Sequence, residues 1–264
     1  MCAVSAQIDS GYRESNSTAD RALTILGLFD DGHLSISAVQ VAEELRVARS
    51  TAYRYLQSLV GQGFLEEAPG GGFRLGLRIL QLARLARRGY GLSDAALPVM
   101  RELADRYHQT VLLTRRVGES IVCIERSESD EQAVRLSYER GTVLPINAGA
   151  SALALLAWLP EDEVRETLGS SPLRRFTSNT LVDVDAIVAR LNEIRAQGYA
   201  MTFGEVDAGI MGIAVPLVTD DHRVIAALSF VGLQDRISEE RRPQLVEALL
   251  SAAQQVSTIL HLSD

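Results

Sequence analysis

Two short amphipathic segments lie close together in the first quarter of the sequence, and their pairing limits the fold more than any other feature. The first, "SISAVQVAEEL", contains Ser37 and Gln40 at the spacing of a capping box. The second, "VARSTAYRYLQSL", repeats apolar residues at helical spacing. A short helix, a turn of about four residues and a second helix predict a helix-turn-helix. The two apolar stripes comprise Ala38, Val41, Ala42 and Leu45, and then Ala52, Leu56, Leu59 and Val60.

The opposite face of the second helix is suited to nucleic acid. Ser50, Tyr53 and Arg54 share one stripe with Gln57, and the stripe contains no carboxylate. Hydrogen-bond donors and positive charge suit phosphates and base edges, so this face favours DNA contact. A solvated surface helix that carries an arginine is the alternative. The predicted DNA-binding residues are Arg49, Ser50, Thr51, Tyr53, Arg54 and Gln57, together with Arg74 on the following hairpin.

A glycine-rich hairpin follows this helix pair. The segment "GFLEEAPGGGFRLG" predicts strands at Phe64 to Glu67 and Gly72 to Leu75, joined by a turn that begins at Pro69. Arg74 would lie on this wing, within reach of a phosphate or the minor groove. A further apolar stripe upstream predicts a third helix that closes the core, formed by Ala22, Ile25, Leu26 and Phe29. Three helices followed by a hairpin form a winged helix-turn-helix.

Charge is unevenly distributed along the chain, although its net charge is −8. Residues 46–88 contain eight arginines and two acidic residues, a local charge of +6. Residues 91–264 contain 16 arginines and 25 acidic residues, a local charge of −9. A basic module beside an acidic domain is typical of sequence-specific DNA-binding proteins and argues against a general polyanion binder.

The length of 264 residues favours two domains. We expect a disordered tail at residues 1–17, a winged helix-turn-helix domain at 18–76, a linker helix at 77–91 and a second domain at 92–264. The longest apolar run, "ASALALLAWL", has 10 residues and is too short to cross a bilayer. The first residues lack the pattern of a signal peptide, so a cytoplasmic protein is expected.

The second domain is predicted to mix helices and strands. The linker helix, placed between Leu75 and Gly89 or Gly91, is apolar on more than one side, which favours a dimer contact over packing within the chain. A helix capped by Ser93 follows at Asp94 to Tyr107. The strands are predicted at 111–116, 120–126, 133–138, 212–218 and 223–232. A buried helix is predicted to follow a loop and to end before Pro160, and further helices are predicted at 161–168, at 183–197 and from Ser238 onward. This order indicates an α+β domain on a mainly antiparallel sheet.

No catalytic, metal or cofactor motif stands out. The four histidines, His33, His108, His222 and His261, are not placed near a serine, a cysteine or an acid pair in a recognisable motif. Cys2 and Cys123 have no zinc-ligand spacing, and a disulfide between them is not expected. We therefore expect no enzyme, metal or cofactor. The alternative is an enzyme, or an enzyme's regulatory subunit, with a vestigial DNA-binding head, which would need Glu205 or Asp207 to face His108.

From about Thr18 onward the chain resembles the IclR family of bacterial transcriptional regulators. The resemblance rests on "RALTILGLFDDG", "RSTAYRYLQSLVGQGFLE", "FRLG", "LPINAGASALALLA", "GIAVPL" and "VIAALSFVG", which occur in this order. It implies a winged helix-turn-helix, a linking helix and a C-terminal effector-binding domain with a GAF/PAS-like sheet. It also implies dimers, often paired into tetramers on DNA.

The resemblance places the effector pocket around "NAGASALA", although close packing of a helix on the sheet also requires small residues. The backbone N–H groups of Ala150 and Ser151 would be open to a carboxylate. The other residues implied are Leu136, Glu205, Asp207, Met211, Gly212, Ser229 and Val231. If Glu205 and Asp207 both faced the pocket unpaired, a neutral or cationic ligand would be the better hypothesis.

The chain departs from the family pattern at three places. The family commonly has a histidine near Asn147, Gly-Lys in place of Ala152-Leu153, and a cysteine in place of Gly212. These differences disfavour short oxoacids and favour a more apolar effector, such as an aromatic acid. The prediction is a ligand-responsive repressor of a catabolic or metabolic operon, with an inverted-repeat operator and a small organic acid as effector. A ligand-independent architectural DNA binder would instead have a filled second core.

Overall fold

The computed structural model describes residues 17–30, 32–89, 91–118, 120–129, 138–219 and 223–261. The chain divides into two compact units, Met1–Ala86 and Arg87–Asp264. The predicted pocket residue Leu136, the histidine His222 and most of the predicted strand at 133–138 lie outside the described residues. No helix among the described residues is long and apolar enough to cross a membrane.

The first unit is a winged helix-turn-helix. Its elements are α1 (Ser17–Leu26), α2 (Ala38–Glu44), α3 (Arg49–Gly61), β1 (Leu65–Glu67) and β2 (Phe73–Leu75). The predicted stripes of the helices meet in one core, where the largest fully buried side chains are Ile25, Leu56 and Leu65. Phe29 packs against this core from beyond the end of α1, so the predicted first helix is too long.

The capping box before α2 is present as predicted. The Ser37 hydroxyl accepts a hydrogen bond from the backbone N–H of Gln40, and the Gln40 side chain accepts one from the Ser37 N–H. After α2 the chain turns at Arg46, whose φ of 51° lies in the left-handed region. This residue reverses the chain between α2 and α3, so its backbone conformation shapes the turn of the helix-turn-helix.

The hairpin is joined to the helices by a backbone pairing that the sequence did not indicate. Ile36 and Phe73 exchange both backbone hydrogen bonds, at 2.9 and 2.8 Å. A Cβ at Gly72 would lie 2.7 Å from the Ile36 carbonyl oxygen, and Gly72 has a φ of +81°. Glycine is therefore required where the wing approaches the segment before α2.

The helix after the wing, α4 (Leu77–Gly89), exposes several leucines. Leu77 and Leu80 are each 66% exposed, and Leu85 is 53% exposed. Leu75 belongs to β2, so its predicted place at the start of this helix is wrong.

The second unit contains one six-stranded sheet with helices on both faces. The strands are β3 (Thr110–Val117), β4 (Ser120–Ser127), β5 (Val143–Leu144), β6 (Ala200–Phe203), β7 (Ile210–Val218) and β8 (Val224–Leu233). Their order is β5-β4-β3-β8-β7-β6, and every neighbouring pair is antiparallel. The helices are α5 (Leu92–Tyr107), α6 (Ala150–Leu156), α7 (Glu161–Gly169), α8 (Val184–Gln197) and α9 (Arg242–His261).

Side chains that alternate along β7 and β8 separate two cores. Met211 and Ile213 of β7 pack in the same cluster as α5 and α9. Ala214 of β7 and Ala227 of β8 pack in the cluster that contains α6, α7 and α8. Because successive strand residues point to opposite faces, only one face of the sheet can contribute to a pocket beside α6.

Two predicted helix starts are wrong. Gly91, in a left-handed conformation, caps α5, and Ser93 lies inside the helix, buried with no hydrogen-bond partner for its hydroxyl among the described residues. The last helix begins at Arg242 rather than Ser238, because residues 239–241 form a separate 3-10 turn capped by Ser238. The other predicted strands and helices of the described residues are present, and the structure also contains two strands that were not predicted, β5 and β6.

Candidate DNA-binding surface and effector cavity

The face of α3 opposite its core stripe is open to solvent. Arg49, Ser50 and Arg54 are exposed, whereas Thr51 and Gln57 are half-buried. Neither Arg49 nor Arg54 forms an ion pair with another described residue. Two unpaired guanidinium groups at the N-terminal half of α3 are available for phosphates or base edges.

Tyr53 is 48% exposed and is held in place by its neighbours. Its ring meets that of Phe73 edge to face, with 6.0 Å between the ring centroids. The Gln57 amide donates to the Tyr53 hydroxyl at 3.1 Å and to a Glu67 carboxylate oxygen at 3.3 Å. The wing therefore brings a carboxylate to the edge of the α3 face, which the stripe on α3 alone did not predict.

Arg74 lies on the wing as predicted but is already paired. Its guanidinium forms a 3.1 Å ion pair with Glu66, and both side chains are substantially exposed. The Glu66 carboxylate also accepts from the Leu77 backbone N–H at 3.4 Å, at the start of α4. An exposed pair of this kind contributes about 0–1 kcal/mol, so a phosphate could displace Glu66 at small cost.

A narrow cavity lies between the start of α6 and the sheet of the second unit. The space open to the centre of a water-sized molecule is about 50 Å³, and all the empty space, including space open to solvent, is about 500 Å³. The lining is mostly apolar, with Leu144, Ala148, Val206, Ile210 and Val231 among its residues. Apolar walls with few polar groups are typical of small-molecule sites.

The inner end of the cavity carries two buried serines. Ser151 is 7% exposed and Ser229 is 0% exposed, and their hydroxyls are 3.0 Å apart. Gly212 lies beside them, where an added Cβ would approach Ala150 Cβ to 3.1 Å and Thr202 Oγ1 to 3.2 Å. The glycine thus keeps this inner end open, where a cysteine would narrow it.

The carboxylate of Glu205 lies at the start of α6 and accepts a hydrogen bond from the Gly149 N–H at 3.0 Å. Burial raises the pKa of Glu205, against the opposing effects of this hydrogen bond and the charge of Arg190. Glu205 is not part of the cavity lining. Its carboxylate would therefore compete with a ligand carboxylate for the N-terminus of α6, but it takes up no space in the cavity.

The mouth of the cavity carries a second polar pair. The Tyr138 hydroxyl donates a hydrogen bond to Asp207, which is exposed. Burial and the adjacent Asp207 raise the pKa of Tyr138, so the phenol stays protonated near neutral pH. Both members of the predicted acidic pair, Glu205 and Asp207, therefore have hydrogen-bond partners. A neutral or cationic ligand was favoured only if both carboxylates faced the pocket unpaired, and they do not.

The structure brings most of the predicted pocket residues together. Ala150, Ser151, Asp207, Gly212, Ser229 and Val231 line the cavity. Met211 does not, because it points to the α5 and α9 face of the sheet. The sequence predicts a strand over "AVRLSY" and does not mark Tyr138 as a site residue. Tyr138 belongs to the site through its contact with Asp207, which is 69 positions away in the chain.

The three departures from the family pattern are divided between the cavity lining and the core around it. The Asn147 amide donates to the carbonyl oxygens of Arg174 and Leu181, and Leu153 is fully buried in the core beside α8. Neither Asn147 nor Leu153 lines the cavity, whereas Ala152 and Gly212 do, so the sequence argument against short oxoacids loses the two positions where the family has a histidine and a lysine. Among the described residues, no group of three or more His, Cys, Asp or Glu side chains is arranged to hold a metal ion.

The winged helix-turn-helix and the cavity-bearing domain define the class of DNA-binding transcriptional regulators with an effector-binding domain. The chain belongs to the IclR family: the IclR helix-turn-helix domain matches residues 18–69, and the bacterial transcriptional regulator IclR C-terminal domain matches residues 86–258.

Relatives of the whole chain support this membership. The transcriptional regulator XynR of Escherichia coli is 30% identical over 92% of this chain and 96% of its own. The transcriptional repressor AllR of Salmonella typhimurium is 29% identical over 92% of this chain and 89% of its own. A solved IclR homologue from Microbacterium hydrocarbonoxydans, in complex with 4-hydroxybenzoate, superposes with a TM-score of 0.78 at 30% identity, over 93% of this chain and 99% of that one.

Proposed function

We propose that this IclR-family regulator is a repressor of a catabolic or metabolic operon, that it binds an inverted-repeat operator, and that a small organic acid controls it. The observation that carries the DNA-reading part is the open face of α3, where Arg49 and Arg54 are exposed and unpaired among the described residues. The repressor part is supported by the relative AllR, which is a transcriptional repressor.

The α3 face is proposed to read bases in the major groove, and Arg74 to hold a phosphate. Arginine suits both tasks because its guanidinium donates two parallel hydrogen bonds to guanine or to a phosphate. The test is a gel shift at moderate salt, in which the full chain is mixed with the DNA upstream of its own gene and with random DNA of equal length. A clear preference for the upstream DNA is expected, and equal affinity for both would contradict sequence-specific binding.

The proposed assembly is a homodimer that can pair into a tetramer. The support is α4, where Leu77, Leu80 and Leu85 are exposed on a helix with no acidic residue. Burying leucines against a second copy removes apolar area from water, and a two-fold dimer matches an inverted-repeat operator. Light scattering at micromolar concentration should report a dimer or larger, and a monomer would contradict this assembly.

The proposed effector is an organic acid with an apolar body. The support is the apolar lining, the buried hydroxyls of Ser151 and Ser229, and the N–H groups of Ala150 and Ser151 at the start of α6. The related Microbacterium protein, which binds 4-hydroxybenzoate, is consistent with an aromatic acid. The carboxylate of Glu205 opposes an acid at this helix, so the ligand's carboxylate is placed at the serines and away from the Gly149 N–H.

The test is a thermal-shift panel of aromatic acids, short oxoacids and amines. Acids should stabilise the protein, and Ser151→Leu should abolish the effect of any hit because the bulky side chain fills the cavity. Ser251→Leu, at an exposed position on α9, is the matched control and should change nothing. Stabilisation by amines alone, or a hit that tolerates Ser151→Leu, would contradict the proposed ligand or its site.

Two other functions receive less support. An enzyme would need a catalytic pair in the cavity, but His108 contacts Ser129 at the end of α5 and does not line the cavity. A ligand-independent architectural binder would have a filled second core, whereas this core contains an open cavity beside α6.

A further inference from the structure

The effector cavity has a different polar pair at each end. The inner pair, Ser151 and Ser229, is buried, and each residue contributes a neutral hydroxyl. The outer pair, Tyr138 and Asp207, joins a phenol to a carboxylate at the solvent-exposed end. Apolar residues line the space between the pairs. A ligand that fills the cavity would therefore meet one pair with each of its ends.

Hydrogen-bond capacity differs between these ends. A pair of hydroxyls uses one of its two protons, so the Ser151–Ser229 pair retains one proton for a ligand acceptor. Tyr138 gives its only proton to Asp207, and a carboxylate can accept about four hydrogen bonds, so Asp207 retains acceptor sites. The inner end donates to a ligand, whereas the outer end accepts from it.

Tyr138 is held firmly enough to serve as part of a site. Its ring packs against a small cluster formed by Leu112, Cys123 and Val231. The two residues that follow it are tied to β4, since Glu139 pairs with Arg126 at 2.7 Å and Arg140 pairs with Glu125 at 2.6 Å. The Gly141 N–H also donates to the Cys123 carbonyl at 2.7 Å.

This anchor determines where the phenol can lie. Arg126 and Glu125 are nearly buried, whereas their partners Glu139 and Arg140 are exposed. These pairs and the Gly141 hydrogen bond tie the backbone just after Tyr138 to β4, which places its hydroxyl at the mouth of the cavity. The Tyr138 hydroxyl orients the Asp207 carboxylate and leaves its remaining acceptor sites for the cavity.

We propose that the Tyr138–Asp207 pair selects an effector that carries a hydrogen-bond donor at the end opposite its carboxylate, as a hydroxylated aromatic acid does. The proposal rests on the organic-acid effector proposed above and deepens it. The effector's hydroxyl donates to Asp207, and Tyr138 keeps that carboxylate oriented. A dicarboxylate is rejected, because its second charge would face Asp207 in a cavity whose described lining contains no cationic side chain.

Three matched probes test this selection by isothermal titration calorimetry at pH 7: benzoate, 4-hydroxybenzoate and terephthalate. They share one ring and one carboxylate, and differ only in the para position. We expect 4-hydroxybenzoate to bind about tenfold more tightly than benzoate, the size of one hydrogen bond to a charged acceptor. Terephthalate should bind more weakly than benzoate.

Variants at the outer pair should remove the preference without removing binding. Asp207→Ala should bring the affinities for benzoate and 4-hydroxybenzoate within about twofold of each other, and terephthalate should gain affinity as the repulsion disappears. Tyr138→Phe should reduce the preference for 4-hydroxybenzoate and keep the rejection of terephthalate. Asp105→Ala, at an exposed site on α5, should leave all three affinities unchanged.

The outcomes separate this inference from the proposed effector class. Equal binding of benzoate and 4-hydroxybenzoate to the unaltered protein, or a preference that survives both variants, would overturn the selection by the outer pair alone. Binding of none of the three probes would overturn the selection and the aromatic-acid effector together, whereas the gel shift would still report on DNA binding. A melting curve for each variant distinguishes a loss of selection from a loss of folding.

Discussion

The helices α3 and α6 both carry small polar residues beside apolar ones, but they occupy opposite environments. In α3, which has 13 residues, only Ala52, Leu56 and Leu59 are buried, and the polar stripe faces solvent. In α6, all seven residues are buried, and Ser151 faces an internal cavity. A serine on α3 is thus available to a macromolecule, whereas a serine on α6 can meet only a molecule small enough to enter.

The largest expected effect comes from a core substitution that destabilises the first unit and leaves the stability of the second unit unchanged. Leu56 is fully buried in the first unit, so Leu56→Ala should cost about 2–5 kcal/mol and abolish DNA binding. Trp158, the only tryptophan, packs against the core beside α6, so its fluorescence reports on the second unit. Chemical denaturation should show a shifted circular-dichroism transition with an unchanged tryptophan transition. Equal shifts in both signals would show that the two units unfold together.

A smaller effect is expected at the exposed face of α3. Arg54→Ala should cost about 1–3 kcal/mol on the preferred DNA and relax its sequence preference, because the substitution removes the proposed hydrogen bonds to a base edge. Gel-shift titrations on preferred and random DNA measure both quantities. Arg101→Ala, at an exposed site on α5, serves as the control. An equal reduction in affinity for both DNAs would make Arg54 a phosphate-binding residue.

The wing should show a weaker and less specific effect. Arg74→Ala should weaken all DNA sequences alike, by about 1 kcal/mol or less, and should reduce the slope of affinity against salt by about one charge. Glu66→Gln is the matched partner, since it frees Arg74 from its ion pair and should strengthen binding. A change that depends on DNA sequence in either variant would place Arg74 in a groove.

The smallest effect is expected at Glu205, which is in the second unit near the α6 terminus. Its pKa in the folded protein is raised above the ordinary value of 4.5, so folding favours the neutral form. Its ionisation therefore destabilises the fold above the folded-state pKa, and this cost vanishes below the unfolded pKa. Glu205→Gln, which can still accept from Gly149, should raise the melting temperature by a few degrees at pH 7 and by nothing near pH 4.

The pH dependence carries its own control. Glu247→Gln, at an exposed site on α9, should leave the melting temperature unchanged at both pH values. A stabilisation by Glu205→Gln that persists at pH 4 would show that charge burial is not its cause.

Local patterns predicted most of the elements because each depends on residues close together in the chain. The capping box at Ser37 and the helix predicted at 183–197 are of this kind, and both are present. The errors at Ser93 and Ser238 have one cause, which is that a serine before an apolar run can cap a helix, lie inside it or cap a separate turn. The outcome depends on the backbone at Gly91 and on the 3-10 turn at 239–241.

The cavity was predicted less completely because it depends on contacts between distant segments. Resemblance located α6, Gly212 and Ser229, since these follow motifs. It wrongly placed Met211 in the pocket, because side chains alternate between the two faces of the sheet along β7 and that of Met211 points to the α5 and α9 face. It also could not find Tyr138, whose partner Asp207 lies on the loop between β6 and β7. Contacts of this kind are determined by sheet order, which no local pattern contains.

The backbone pairing of Ile36 with Phe73 should slow the exchange of their amide hydrogens with solvent. The backbone N–H groups of both residues donate hydrogen bonds to each other's carbonyl oxygens, so they should exchange with solvent only when the core beneath them opens. The amides of Gly70 and Gly72, at the tip of the wing, are not held in this way by the core and should exchange much sooner. We therefore expect a slowly exchanging base and a faster tip, so that in the proposed complex the tip would adapt to the DNA backbone while the base holds Arg74 in place.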